Sequence, residues 1–379
     1  MSKRWAIAGV GALSSVGRTA EEMFDNLCAG KTGLGPLRAF TPEWYTAQHL
    51  HEIDDLDAYP DVEGRATRFL LDAIGQALDD AGMPHDLAGV PVLVGTGLRE
   101  LRSVELWARG QTKADERRLH FGAALRERFG ADDTHTFSNA CSASLYALSL
   151  AVDLLDSGEH DTVVVAGTDS ITESMFGVLD RLQSVPPERL RPFDVNRKGT
   201  ILGEGASAIV LRREPAGSGQ VRGWLRGVAI NCDAFHATAP EAGSIAEVIR
   251  NAHSAAAVRP DEVDLVLLHG TGTMANDTGE ATAMAEVFGT EVKHPVMTAM
   301  KSMTGHTSGA SGLHSLIMAL TSIAQDRVSP TLHLEDQIPV AADFRIATRE
   351  HVGEGPMVAQ VNGFGFGGVN AVAIVEGTR

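Results

Sequence analysis

The chain is predicted to fold as a layered α/β protein built from two similar halves. Short, predominantly apolar runs such as V-D-L-V-L-L (from Val263) and T-V-V-V-A-G (from Thr162) are of the kind that parallel sheets bury on both faces. Between them lie segments whose apolar residues recur at helical spacing, such as R-A-T-R-F-L-L-D-A-I-G-Q-A-L-D-D-A over residues 65–81. The alternation runs in similar order through both halves and sets glycine turns at strand ends, which points to an internal duplication. The chain has 379 residues, enough for two domains. The P-A-G-S-G-Q stretch is the expected boundary, dividing residues 1–218 from 219–379.

In chain order, Trp5 to Gly11 is a short apolar strand running into a glycine-rich loop. G-V-G-A-L-S-S-V-G has the outline of a dinucleotide fingerprint, but no acidic residue follows a second strand about 20 residues on, as ribose binding would need. Residues 19–29 suit a helix capped by Thr19 and ended by Gly30, and the 65–81 helix is closed by Gly82. P-V-L-V-G-T-G (91–97) is a buried strand, and 98–130 is polar and Arg-rich with helical stretches. H-T-F-S-N-A-C-S-A-S-L-Y-A-L-S-L-A-V-D-L-L-D-S-G (135–158) is a strand, a tight turn at Ala140-Cys141-Ser142 and a long helix stopped by Gly158. Another strand starts at Asp161, residues 186–205 are a loop crowded with Arg, Pro and Gly, and A-S-A-I-V-L-R-R is the last strand of the first half. The second half adds a strand from Val221, a helix at 244–258, a strand ending at His269, and helices at 278–288 and near 309–325. It closes on a strand, a G-F-G-F-G-G loop and a final strand.

Composition excludes several classes. A net charge of −17 without a basic tail argues against nucleic-acid binding. No apolar run approaches the ~18 residues of a membrane span. The start, M-S-K-R-W-A-I-A-G, reads directly into a strand with no signal peptide. Cys28, Cys141 and Cys232 make neither a disulfide framework nor metal-ligand spacing, so a reduced, cytoplasmic setting is expected.

Cys141 stands out because a strand–Cys–helix turn has the mechanics of a nucleophile elbow, and a helix N-terminus favours a thiolate. A small buried cysteine filling the gap between helix and sheet fits the stretch equally well. His269, the Lys301–His306 turn and the 363–368 loop all lie where strands end, the usual place for chemistry in open α/β sheets. Taken singly, His269 reads as a core histidine, His306 as a capping one, and Lys301 and Glu280 as solvated charges. Together with Cys141, two imidazole N–H donors suit an oxygen that becomes an enolate beside an acyl thioester.

Four blocks carry a family resemblance in order along the chain: S-N-A-C-S-A, H-G-T-G-T-M-A-N-D-T-G-E, K-S-M-T-G-H-T-S-G-A-S-G and N-G-F-G-F-G-G-V-N. The sequence resembles the β-ketoacyl-acyl carrier protein synthases, decarboxylating condensing enzymes of the thiolase superfamily. The resemblance implies a thiolase-like fold, each half a mixed sheet, stacked as α-β-α-β-α layers. It implies Cys141 as the nucleophile that takes an acyl chain, and His269 and His306 as neutral donors to a malonyl thioester oxygen. Lys301 and Glu280 would be a charged pair orienting both histidines. The N–H groups of Cys141 and Phe366 would form the oxyanion hole, with Phe366 also gating the acyl pocket. Thr271 and Thr273 would meet the pantetheine arm, with Phe364 and Leu98 as further substrate contacts. No cofactor is expected beyond the phosphopantetheine that arrives with the substrate, and no metal. The implied partners are an acyl carrier protein, docking on some of Arg65, Arg68, Arg189, Arg191, Arg197 and Lys198, and a second subunit, as a homodimer or a heterodimer with a ketosynthase-like chain. The pathway implied is fatty-acid or polyketide synthesis.

Leu98-Arg99-Glu100 replaces the expected glycine-rich lining of the acyl pocket, and Ser144 replaces a glycine after the nucleophile, where it is expected to crowd the entrance. Alternatives on the same fold are an acyltransferase or hydrolase that uses Cys141 without decarboxylation, and a non-condensing partner subunit.

Overall fold

A computed structural model describes residues 3–54, 63–113, 115–214, 221–353, 355 and 357–378; the expected boundary at 218/219 lies outside them. The first half contains β1 (Trp5–Ser14), α1 (Ala20–Cys28), α2 (Arg65–Asp80), β2 (Val92–Gly95), α3 (Leu101–Ala108), α4 (Phe121–Phe129), β3 (Thr134–Phe137), α5 (Ala143–Ser157), β4 (Thr162–Asp169), α6 (Glu173–Leu182) and β5 (Gly205–Arg212). The second contains β6 (Gly223–Cys232), α7 (Ala242–Ala256), β7 (Leu265–Leu267), α8 (Met274–Phe288), β8 (Val296–Thr298), α9 (Lys301–Thr304), α10 (Ser311–Gln325), β9 (Arg345–Ile346), β10 (Val358–Gly365) and β11 (Val369–Glu376).

The halves share one topology. The first sheet runs β3-β2-β4-β5-β1, and the second runs β8-β7-β10-β11-β6 with β9 added at its edge. In each, the first three strands are parallel and the last two antiparallel. A short antiparallel ladder between Trp5–Ile7 and Gly223–Leu225 makes the eleven strands continuous. Numbering each half from its own first strand gives the same order twice, as duplication requires.

Alternation along the buried strands sorts the core into layers. Val163 and Val165 of β4 face a central cluster, while Val164 and Ala166 face an outer one with Phe69, Leu70 and Ile74 of α2. The central cluster is filled by Leu145, Leu148 and Leu155 of α5 and Leu313, Leu316 and Leu320 of α10, sandwiched between inward residues of both sheets. A third cluster packs α7 and α8 on the other side of the second sheet. Helix–sheet–helix–sheet–helix layering follows. At about 1.5–3 kcal/mol for each fully buried aliphatic side chain, the central pair of helices is a principal source of stability.

Some local readings change. β1 continues through the supposed glycine loop to Ser14, and a side chain at Gly9 or Gly11 would collide with the backbone of α2 at Ala77 or Ala73. Those glycines admit a helix against a strand; they do not cradle a phosphate. Helix α8 starts at Met274, not residue 278, because Thr273 caps it by accepting from Asn276 N. Helix α6, capped by Thr172, was not foreseen.

Candidate active site

The two central helices start in the same way. Ala140 has φ +48°, in the left-handed region that L-residues rarely adopt, and opens a 3-10 turn over Ala140–Ser142 before α5. Ser308 has φ +48° and opens the turn Ser308–Ala310 before α10. Each half thus begins its central helix with a strained elbow, and the two elbows face each other. Ser311 Oγ donates to Cys141 O (3.3 Å) and Ser308 O (2.8 Å), tying them together. Ser142 Oγ donates to Val369 O (2.9 Å), fixing the first elbow to β11.

Between the elbows lie Cys141, His269 and His306, with Sγ and one nitrogen of each ring within 4.8 Å of one another. The imidazoles meet edge to face at a centroid distance of 5.5 Å. Ser308 N donates to His306 Nδ1 (3.2 Å), so Nε2 carries the proton, and Nε2 is buried without a partner. Lys301 Nζ donates to His269 O (2.6 Å) and lies 3.4 Å from His269 Nδ1, which sets the same tautomer. Both rings therefore have N–H, not a lone pair, left for the cavity. That arrangement suits an acceptor oxygen and fits a metal ion poorly, although the three residues are close enough to surround one.

Burial holds both rings neutral. It lowers His306 to about 3 and His269 well below the usual histidine range, with Lys301 adding to both. Burial also brings Lys301 down to about 8, against Glu280, Cys141 and Asp277, which raise it. The Cys141 thiol rises to about 11, chiefly by burial; Lys301 pulls it down, Asp169 pushes it up, and N–H groups of Phe366 and Cys141 pull it down. Burial thus opposes the thiolate expected at a helix start. α5 begins only at Ala143, and desolvation outweighs the dipole.

Glu280, fully buried, accepts from His269 N (2.7 Å), Gly270 N (2.9 Å) and Asn362 Nδ2 (2.9 Å). Glu280 and Lys301 therefore converge on His269 from two sides and leave His306 to its own turn, so the pair orients one histidine rather than both. Arg197 donates to Thr273 O (3.3 Å) and Met274 O (3.1 Å), and Asp277 accepts from Gly272 N (3.2 Å), holding the Thr271–Thr273 turn.

A cavity enclosing about 670 Å³, its open mouth included, runs outward from Cys141 past both histidines. Thr271, Thr273, Phe364 and Phe366 line it, as expected, and so do Met175 and Leu179 of α6. Phe364 packs edge-on against His269 at 5.7 Å, and Phe366 is 42% exposed at the rim. Two expectations fail. Leu98 does not line the cavity; its N–H donates to Asp169 (2.8 Å) and turns the segment away. Ser144 does not crowd the entrance: it is buried under α10, its Oγ accepting from Leu313 N (3.2 Å). The charged segment after Leu98 instead clamps α6, where Glu105 accepts from Glu173 N and Ser174 N and Arg102 pairs with Glu173.

The docking candidates divide. Arg65 is buried in an ion pair with Glu204 (2.6 Å), and Arg197 is buried against α8, so neither presents a charge to a partner. Arg191 is half-buried and paired with Glu335 (3.2 Å). Lys198 and Arg189 are exposed on the loop leading to Thr200 at the cavity, and Arg68 is half-buried on α2. The sequence reading missed Asp169, Met175, Leu179 and Asn370. An acid closing a wholly apolar strand in A-G-T-D-S was the signal available for the first.

Among the described residues no helix is long and apolar enough to cross a membrane. Residues 2–216 match the family described as "Beta-ketoacyl synthase, N-terminal domain", and residues 222–335 the "Beta-ketoacyl synthase, C-terminal domain". The chain is 27% identical to 3-oxoacyl-[acyl-carrier-protein] synthase 1 of Haemophilus influenzae, over 99% of both chains. It is 28% identical to 3-oxoacyl-[acyl-carrier-protein] synthase 2 of Synechocystis sp., over 97% of this chain and 96% of the relative. The solved structure of the ishigamide ketosynthase/chain length factor superposes with a TM-score of 0.89 at 28% identity, over 100% of both chains. A type II PKS ketosynthase solved with its acyl-carrier protein reaches 0.89 at 20% identity, again over 100% of both, and shares the fold. With an elbow cysteine and two neutral histidines set in a thiolase-like frame, the chain belongs to the beta-ketoacyl synthase family of acyl-transferring condensing enzymes.

Proposed function

We propose that the protein performs a decarboxylative Claisen condensation, joining a Cys141-bound acyl group to malonyl-acyl carrier protein. The observation that carries it is the convergence of Cys141 Sγ and two neutral imidazoles within 4.8 Å. Cys141 Sγ attacks the carrier thioester, and its proton ends on the departing pantetheine thiol. The tetrahedral oxygen is held by the N–H groups of Cys141 and Phe366. Malonyl thioester then enters along Thr271 and Thr273, its carbonyl oxygen accepting from His269 and His306. Carbon dioxide leaves, the enolate carbon attacks the acyl carbonyl, and the cysteine sulfur departs as a thiolate that takes up one proton from solvent, returning to the thiol favoured by its raised pKa. One negative charge is exchanged for another in a dry site, so neither histidine needs to become charged.

The acyl carrier protein would bring its own phosphopantetheine, with Lys198, Arg189 and Arg68 as basic contacts near an otherwise acidic chain. A dimer would form through β3, the outermost strand of the first sheet. Incubating the protein with acyl-carrier and malonyl-carrier donors should yield an acyl adduct on Cys141 by mass spectrometry and release carbon dioxide. An adduct without carbon dioxide would replace this reading with simple acyl transfer; neither would favour a partner-subunit role.

A pH profile follows from Lys301. Below about 8 it is charged and donates to His269, holding Nε2–H toward the cavity; above that value it keeps N–H groups but loses the charge that strengthens the contact and favours the developing enolate. Decarboxylation by acylated enzyme is expected to be level between about pH 7 and 7.5 and to fall above about pH 8. A rate that stays level from about pH 8 to 10 would remove the Lys301 charge from the mechanism.

A further inference from the structure

The duplication makes the second elbow a counterpart of the first, and what occupies the two differs. At the first, the end of β10 brings Gly365 and Phe366 against Cys141; a Cβ on Gly365 would lie 3.2 Å from Cys141 N, and the Phe366 N–H interacts with the thiol. At the second, the end of β4 is the corresponding strand end, and it delivers Asp169 to Gly309. Asp169 is buried and accepts four hydrogen bonds. Thr96 Oγ1 (2.7 Å) and Leu98 N (2.8 Å) reach Oδ1, and Gly97 N (2.7 Å) and Gly309 N (2.6 Å) reach Oδ2.

We propose that Asp169 is a positioning residue whose carboxylate ties Gly309 N of the second elbow to the Thr96–Leu98 turn and so holds the His306 turn in register with Cys141. The first elbow stays open for an oxygen that turns negative during reaction; the second holds a carboxyl group that burial pushes up to about 6, against four hydrogen bonds that pull it down, and that is negative at neutral pH. Through Gly309, Asp169 fixes the turn in which Ser308 N sets the His306 tautomer and Ser311 reaches back to Cys141 O. A side chain at Gly309 would press on Thr96 and on Asp169 Oδ2, so the close approach is built in. The carboxylate also acts through space on the reactive sulfur, whose charged and titratable neighbours are Lys301, Asp169, His269 and His306. It therefore restrains thiolate formation while it orders the histidine, two effects of opposite sign on two measurable rates.

This inference rests on the condensing reading above. The test uses the full chain with Asp169→Asn, which keeps the shape but turns one acceptor into a donor facing an N–H and removes the charge. Decarboxylation of malonyl thioester is expected to fall roughly 10²-fold as His306 loses its register. Alkylation of Cys141 by iodoacetamide at pH 8 is expected to rise about threefold, because removing a negative charge that raises the thiol's pKa favours the thiolate. Thr96→Val, which removes one donor and leaves the charge, should lower decarboxylation by about tenfold without speeding alkylation. Equal losses in both rates for Asp169→Asn, or wild-type decarboxylation in Thr96→Val, would overturn the proposal. Wild-type protein that releases no carbon dioxide would sink the condensing reading instead, while the direction of the alkylation change would still test the link between Asp169 and Cys141.

Discussion

Cys141→Ala is expected to abolish the acyl-enzyme and lower condensation by ~10⁴-fold or more, since covalent capture of the acyl group is the step on which the rest depends. The variant should fold. Cys141 is half-buried, its sulfur faces the cavity, and the elbow is held by Ser142, Ser311 and the packing of α5. The protein supplies its own controls. Cys28 is buried beside Arg327 with its thiol raised to about 11, and Cys232 is exposed on β6. Peptide mapping after acyl transfer should find the adduct on Cys141 and on neither of these. An adduct of wild-type stoichiometry that persists in Cys141→Ala would remove the nucleophile from the mechanism.

Much of the fold was legible because its strands are buried on both faces. T-V-V-V-A-G and V-D-L-V-L-L admit few other readings once helical segments are found between them, and the paired sheet order follows from duplication. What was not legible were elements whose signal is tertiary. Helix α6 has a modest apolar face, and its start is held by Glu105 and Arg102 from α3, a clamp that no local pattern announces. The glycines of β1 mimic a nucleotide loop in one dimension. Only the proximity of α2 shows why they lack side chains.

The site divides along the same line. Cys141, His269, His306, Lys301 and Glu280 were legible as residue types in ordered blocks, and the structure brings them together. Their division of labour was not. Which histidine Lys301 and Glu280 serve depends on backbone positions, as both grip His269 through its main chain. Sequence proximity to a helix suggested a thiolate at Cys141, whereas the thiol is governed by how much water the cavity admits. Arg65 and Arg197 looked like docking charges because burial of an arginine with its carboxylate leaves no mark on the sequence.

The other large effect is expected at the two histidines. Each places one N–H at a point where negative charge is to build, and removing one such preorganised donor costs ~10²–10³ in rate, about 2.7–4 kcal/mol of transition-state stabilisation. His269→Ala and His306→Ala should each lower carbon dioxide release from malonyl thioester by that factor, while acyl transfer to Cys141, served by backbone N–H groups, should fall much less. The double variant should lose less than the product of the single losses, because a lone donor cannot hold the enolate oxygen as the pair does. Folding gives independent support. Lys301 donates to the main-chain oxygen of residue 269 and would keep that partner after His269→Ala, so no buried charge is stranded. His306→Asn, which restores a shorter N–H donor, should recover part of the rate, as a base of any kind would not. If both alanine variants release carbon dioxide at the wild-type rate while still acylating Cys141, the histidines do not hold the enolate and the donor geometry described here serves another step.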